Sequence, residues 1–195
     1  MHYVYYPLDY KPDHANQSDE YLQYAVVYKD TIQLLLKRYL EDPPIHDYSL
    51  APILSLLRHY IELQLKGIIM HSEENHKPIV SHDIITLYEK ARKKIQEKYS
   101  LKELGEPNDD VVKFLKSLGE FDPKAQAFRY PTRRDGTDFF SESIKMDSWL
   151  RDRLISLPLL NDVAEKIIGD LEGIEGYLDL KKWNEDEEHT NAEYF

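Results

Sequence analysis

Residues 58–66 read Arg58-His59-Tyr60-Ile61-Glu62-Leu63-Gln64-Leu65-Lys66, which sets an Arg, a His, a Glu and a Lys into the most apolar run of the chain. At about 100° per residue on a helix, Ser55, Arg58, His59, Glu62 and Lys66 share roughly one 100° sector. The rest of the circumference carries Leu54, Leu56, Leu57, Tyr60, Ile61, Leu63, Leu65 and Ile68. A helix apolar over most of its circumference is a central one. Its charged strip must then be solvated in a cleft, internally paired, or used. Glu62 lies four residues after Arg58 and four before Lys66, the spacing of helical ion pairs. The same groups suit chemistry. Arg grips a phosphate through two N–H groups, His moves a proton near neutral pH, and Glu can orient the His.

Three further segments carry candidate groups. His82-Asp83 stands where a third helix begins, and a helix N-terminus attracts anions through its free N–H groups. Arg129-Tyr130-Pro131, followed by Arg133-Arg134-Asp135-Gly136, joins cations to an aromatic ring. That combination can contact phosphate and stack a base, and equally forms an exposed charged turn. Lys90, Arg92, Lys93, Lys94 and Lys98 form a basic run that reads as a solvated helix face. His71 and His76 flank Glu73 and Glu74, but their spacing matches no established ligand pattern, so neither a metal nor a cofactor is expected.

The elements that position these groups are helices. One is expected over about Ser18–Glu41, ended by Pro43-Pro44, and a second over about Ser49–Met70. A polar loop to Pro78 precedes a third from Ser81 to about Tyr99, with Asp83 in its first turn. A shorter helix starts near Asn108 and stops at Gly119. Residues 121–140 read as an irregular or hairpin flap, because Asp135-Gly136 is a turn signal between aromatic stretches. The last helical region, about Asp147–Trp183, should kink or split at Pro158. The expected fold is all-α: one domain over residues 1–183, an up-and-down bundle of about five helices, and a flexible acidic tail over 184–195. Arg58 and His59 lie mid-helix. At 1.5 Å per residue this sets His82 roughly 15–20 Å away if the third helix follows a tight turn.

The chain has 195 residues, no Cys and a net charge of −11. Disulfide and thiolate chemistry are excluded. The acidity argues against a surface coated in nucleic acid, though not against a local basic groove. No leader and no membrane span are read, so the expected location is the cytoplasm. Walker, dinucleotide, HExxH and nucleophile-elbow motifs are absent, which removes support for the corresponding enzyme classes.

The block Leu54-Ser-Leu-Leu-Arg58-His59-Tyr-Ile-Glu62-Leu-Gln-Leu-Lys66-Gly67, with His82-Asp83-Ile-Ile-Thr-Leu87 and Phe128-Arg129-Tyr130-Pro131, resembles the HEPN class, the higher eukaryote and prokaryote nucleotide-binding domains. The resemblance covers about residues 48–140. It implies a compact helical bundle, frequently a homodimer, in toxin–antitoxin or antiviral defence operons. It also implies RNA or a nucleotide as ligand, or a partner protein from the same operon. Many members are metal-independent endoribonucleases that activate the ribose 2′-OH with an Arg-x4-6-His motif. Here positions 63–65 are Leu-Gln-Leu, so that second His is missing. On this reading Arg58 would hold a phosphate, His59 move a proton and Glu62 orient His59. Lys66, His82, Asp83, Arg129, Tyr130, Arg133 and Arg134 would line the ligand. The alternative is a non-catalytic module binding a nucleotide, nucleic acid or partner, and a third possibility is a purely structural ion network.

Overall fold

A computed structural model describes residues 17–44, 50–72, 79–98, 105–126, 128–130, 136 and 147–192, with side chains described between 18 and 181 of these. Six helices form the described residues, with no strand among them: α1 Gln17–Glu41, α2 Ala51–Ser72, α3 Ile84–Lys98, α4 Asp109–Phe121, α5 Ser148–Ile155 and α6 Leu157–Ala192. The hairpin expected around Asp135-Gly136, and with it Arg133 and Arg134, lies outside the described residues apart from Gly136 itself.

The centre is α2, as its nearly all-round apolar surface requires. It packs against α1, α3 and α6. Ile53, Leu57, Tyr60, Ile61, Leu65 and Ile68 are all buried in one continuous core. That core receives Ile32 and Leu36 from α1, Leu87 and Ala91 from α3, and Phe114 and Leu118 from α4. From α6 it takes Leu160, Val163, Ile167 and Leu171, which recur at three- and four-residue spacing along one helix face.

Local chemistry sets the helix ends. Asn108 caps α4, its Oδ1 accepting from the Asp110 and Val111 amides at 3.0 and 3.4 Å. Asp83 caps α3, its Oδ1 accepting from Ile85 at 3.0 Å and Thr86 at 3.3 Å, while the Thr86 hydroxyl donates to Oδ2 at 2.8 Å. This corrects the expected start at Ser81. Helical geometry begins at Ile84, and the Ser81 hydroxyl instead accepts from the Asp83 amide at 3.2 Å.

The long C-terminal region does divide near Pro158. Ser156 closes α5 through its amide to the Asp152 carbonyl, and its own carbonyl then accepts from Leu160 as α6 begins. Pro158 falls at the second position of α6, where no intrahelical partner for an N–H exists. Beyond Trp183, α6 continues through the acidic stretch to Ala192.

Candidate functional site

Midway along α2 the charged strip is buried rather than solvated. Arg58 is 2% exposed, Glu62 4% and Lys66 5%. Burial of charge at this depth demands partners, and the i,i+4 spacing supplies them. Lys66 Nζ donates to Glu62 Oε1 at 2.8 Å, and Arg58 Nη1 lies 3.7 Å from Glu62 Oε2. Two contacts come from outside the helix. Arg58 Nη2 donates to the His82 carbonyl at 2.5 Å, and His82 Nδ1 sits 2.8 Å from Glu62 Oε1.

His82 is therefore not 15–20 Å from Arg58, as a tight α2–α3 turn would make it. Residues 73–83 separate the two helices. A linker of that length can span up to roughly 35 Å, which allows α3 to start beside the middle of α2. The His82 ring is largely exposed while its carbonyl and Nδ1 reach inward, so it closes the outer end of the network.

Electrostatics follow the geometry. Burial alone would raise the Glu62 carboxyl, but the Lys66 ammonium and the His82 ring outweigh it and hold the carboxyl below its usual range. Burial lowers Arg58, opposed mainly by Glu62 and then Asp122, and a guanidinium remains charged all the same. Burial likewise lowers His59, which favours its neutral form at pH 7.

On the other side of Arg58 is a small pocket lined by Ser55, Arg58, His59, Asp122, Phe128 and Arg129, with a volume of about 10 Å³. That is room for about one water-sized atom. Two N–H-bearing atoms of Arg58, Nε and Nη1, are buried without a hydrogen-bond acceptor among the described residues, Nη1 being the one that stands 3.7 Å from Glu62. The half-buried His59 ring lies edge-on to Tyr28, centroids 4.8 Å apart. Asp122 is buried, and its Oδ1 accepts from the Gln126 amide at 2.7 Å. This bond ties down the turn that follows α4, where Ala125 adopts φ 53°. The turn delivers Phe128 and Arg129 to the pocket.

Sequence-predicted residues thus fall into two adjoining groups joined through Arg58. Glu62, Lys66 and the His82 ring form the ion network; His59 and Arg129 face the pocket. The recorded hydrogen bonds of Glu62 go to Lys66 and His82 rather than His59. Asp83 serves as the α3 cap, and Tyr130 is exposed beside Arg129. Arg133 and Arg134 lie outside the described residues. Asp122 and Phe128 were not singled out as site residues by sequence. The available signal was the helix stop Gly119-Glu-Phe-Asp122-Pro123, which marks Asp122 as a turn residue. Among the described residues no three His, Cys, Asp or Glu side chains converge as a metal site requires. No helix among them is long and apolar enough to cross a membrane.

Comparison of the chain with protein-family models, with curated proteins and with solved structures finds no match, so the HEPN resemblance rests on the residues quoted above.

Proposed function

We propose that this chain is a HEPN-like helical bundle that binds the phosphate of an RNA or nucleotide at the Arg58–His59–Arg129 pocket. The defence or toxin–antitoxin setting, the cytoplasmic location and the homodimer are what the resemblance implies. One observation carries the reading: a buried guanidinium, whose Nε has no hydrogen-bond acceptor among the described residues, lines a pocket with room for about one ligand oxygen. A phosphate oxygen accepts well from a guanidinium N–H. Arg129 on the exposed turn adds a second cation to the same pocket. Asp122 opposes an anion there, and its hydrogen bond to the Gln126 amide disperses part of that charge. Binding is favoured over catalysis because the hydrogen bonds of Glu62 go to Lys66 and His82 and not to His59, the residue it would have to orient.

The test uses labelled single-stranded RNA and free mononucleotides with the full chain. Arg129→Ala removes an exposed cation and should weaken binding about tenfold, the equivalent of about 1.4 kcal/mol. Unchanged affinity would remove the site from consideration.

A second reading, metal-independent RNA cleavage, is favoured by the neutral form of His59, the form that accepts a proton from a ribose hydroxyl. Cleavage in excess EDTA that disappears in His59→Ala supports it. Cleavage that survives the substitution rejects the role of His59.

A further inference from the structure

Arg92 and Lys93 of the basic run on α3 border a second cavity. It lies between α3 and α4, has a volume of about 290 Å³ and shares no lining residue with the Arg58 pocket. Its floor is apolar: Ile85 and Tyr88 from α3, Val112 and Leu115 from α4. Its rim carries Arg92, Lys93 and Lys116 against the single carboxylate Glu89. This is a reversal of sign in a chain whose net charge is −11.

The rim is partly preorganised. Arg92 Nη2 donates to the Gly105 carbonyl at 2.8 Å, and its guanidinium carbon stands 6.0 Å from the Tyr88 ring centroid. The Tyr88 hydroxyl is itself anchored 3.1 Å from Asp170 Oδ2 on α6. Arg92 is therefore held across one end of the cavity with its ring neighbour fixed. Lys93 lies 3.7 Å from Glu97. On the opposite wall, Lys116 has no ion-pair partner among the described residues.

We propose that this cavity binds a small aromatic carboxylate, its ring between Tyr88 and Leu115 and its charge at Arg92 and Lys116. Size, surface and charge each narrow the class. A dry cavity of about 150 Å³ accommodates benzene. Twice that volume suits a bicyclic ring, at the small end of ordinary ligand sites. An apolar floor rejects strongly hydrated ligands such as free phosphate. With Lys93 set beside Glu97, Arg92 and Lys116 still outnumber the lining carboxylate Glu89, which selects an anion over a neutral or cationic ring of the same shape.

The probes are 2-naphthoate, its neutral amide and 2-naphthylmethylammonium, titrated by calorimetry and by amide chemical shifts into the full-length protein. The expected result is saturable 1:1 binding of the carboxylate. It should exceed the amide by about tenfold and the ammonium by more, with shifts confined to α3 and α4. Lys116→Glu, at an exposed position, should erase the preference for the anion while the melting temperature holds. Val112→Trp, which fills the floor, should abolish binding of all three probes. If that variant does not fold, Lys116→Glu alone decides the question. Equal affinity for the three probes, no saturation up to millimolar ligand, or an anion preference that survives Lys116→Glu overturns the proposal.

Discussion

Arg58 Nη2 donates to the main-chain carbonyl of His82 at 2.5 Å, pinning the residue before the α3 cap to the middle of α2. The same His82 turns its ring to Glu62, so one residue closes the network twice, once through its backbone and once through its side chain. Arg58 is thereby both the proposed phosphate-binding group and a fastener between two helices. Its two roles must be separated by experiment.

Removing the guanidinium should cost stability regardless of any ligand. Arg58→Ala leaves the His82 carbonyl without its donor and opens a gap at a site 2% exposed. Breaking a buried charged pair costs about 3–5 kcal/mol. Arg58→Met preserves volume, and Glu62 keeps Lys66, so its cost should be smaller. Urea denaturation of both variants orders the losses. Equal losses would show that the guanidinium and its bonds, not packing, set the value.

Acid should weaken the protein through Glu62. Its folded carboxyl lies below the ordinary value of about 4.3. The unfolded chain therefore binds the proton first, and stability is lost as pH falls through the folded value. Above the ordinary value the contribution is complete. Glu62→Gln should be less stable than wild type at pH 7 by about 3 kcal/mol, since it leaves Arg58 and Lys66 buried with less compensation. The gap should narrow by pH 3. Urea midpoints at both pH values test this, and a constant gap would refute it.

His59 contributes at higher pH with the same sign. Burial depresses its folded value below 6.5, so the unfolded state takes up the proton more readily. Stability held above about pH 6.5 declines as the medium acidifies toward the folded value. Proton-detected titration of the His59 ring should report a midpoint below that of an unstructured His. His59→Gln should flatten the stability profile between about pH 5 and 7.

The α1–α2 contact depends on a missing side chain. A Cβ at Gly67 would stand 2.5 Å from Leu22 Cδ2 and 2.7 Å from Leu22 Cγ. Overpacking of this kind costs about 1–3 kcal/mol. Gly67→Ala should lower the melting temperature, and Leu22→Ala added to it should recover part of the loss relative to the sum of the single changes. Strict additivity would mean that the two helices separate instead of competing for the space.

The helix signals were strong in the chain itself because they are local. Asn108 and its following acidic pair mark the start of α4, and Pro158 marks the division between α5 and α6. At the start of α3 the local signal is ambiguous, because Ser81 and Asp83 both offer capping oxygens two residues apart. The outcome depended on which one met free amides: Asp83 accepts from Ile85 and Thr86, and Ser81 only from Asp83.

By sequence alone, an all-α chain with α2 at its centre and a charged strip on that helix was determined, because apolar periodicity and i,i+4 spacing act within a few residues. Only tertiary structure decided what the strip touches. The offset that sets α3 beside mid-α2, and the turn after α4 that brings Arg129 toward His59, come from packing between segments far apart in the chain. No local spacing encodes whether Glu62 meets His59 or His82; the core that fixes the helices relative to one another makes that choice.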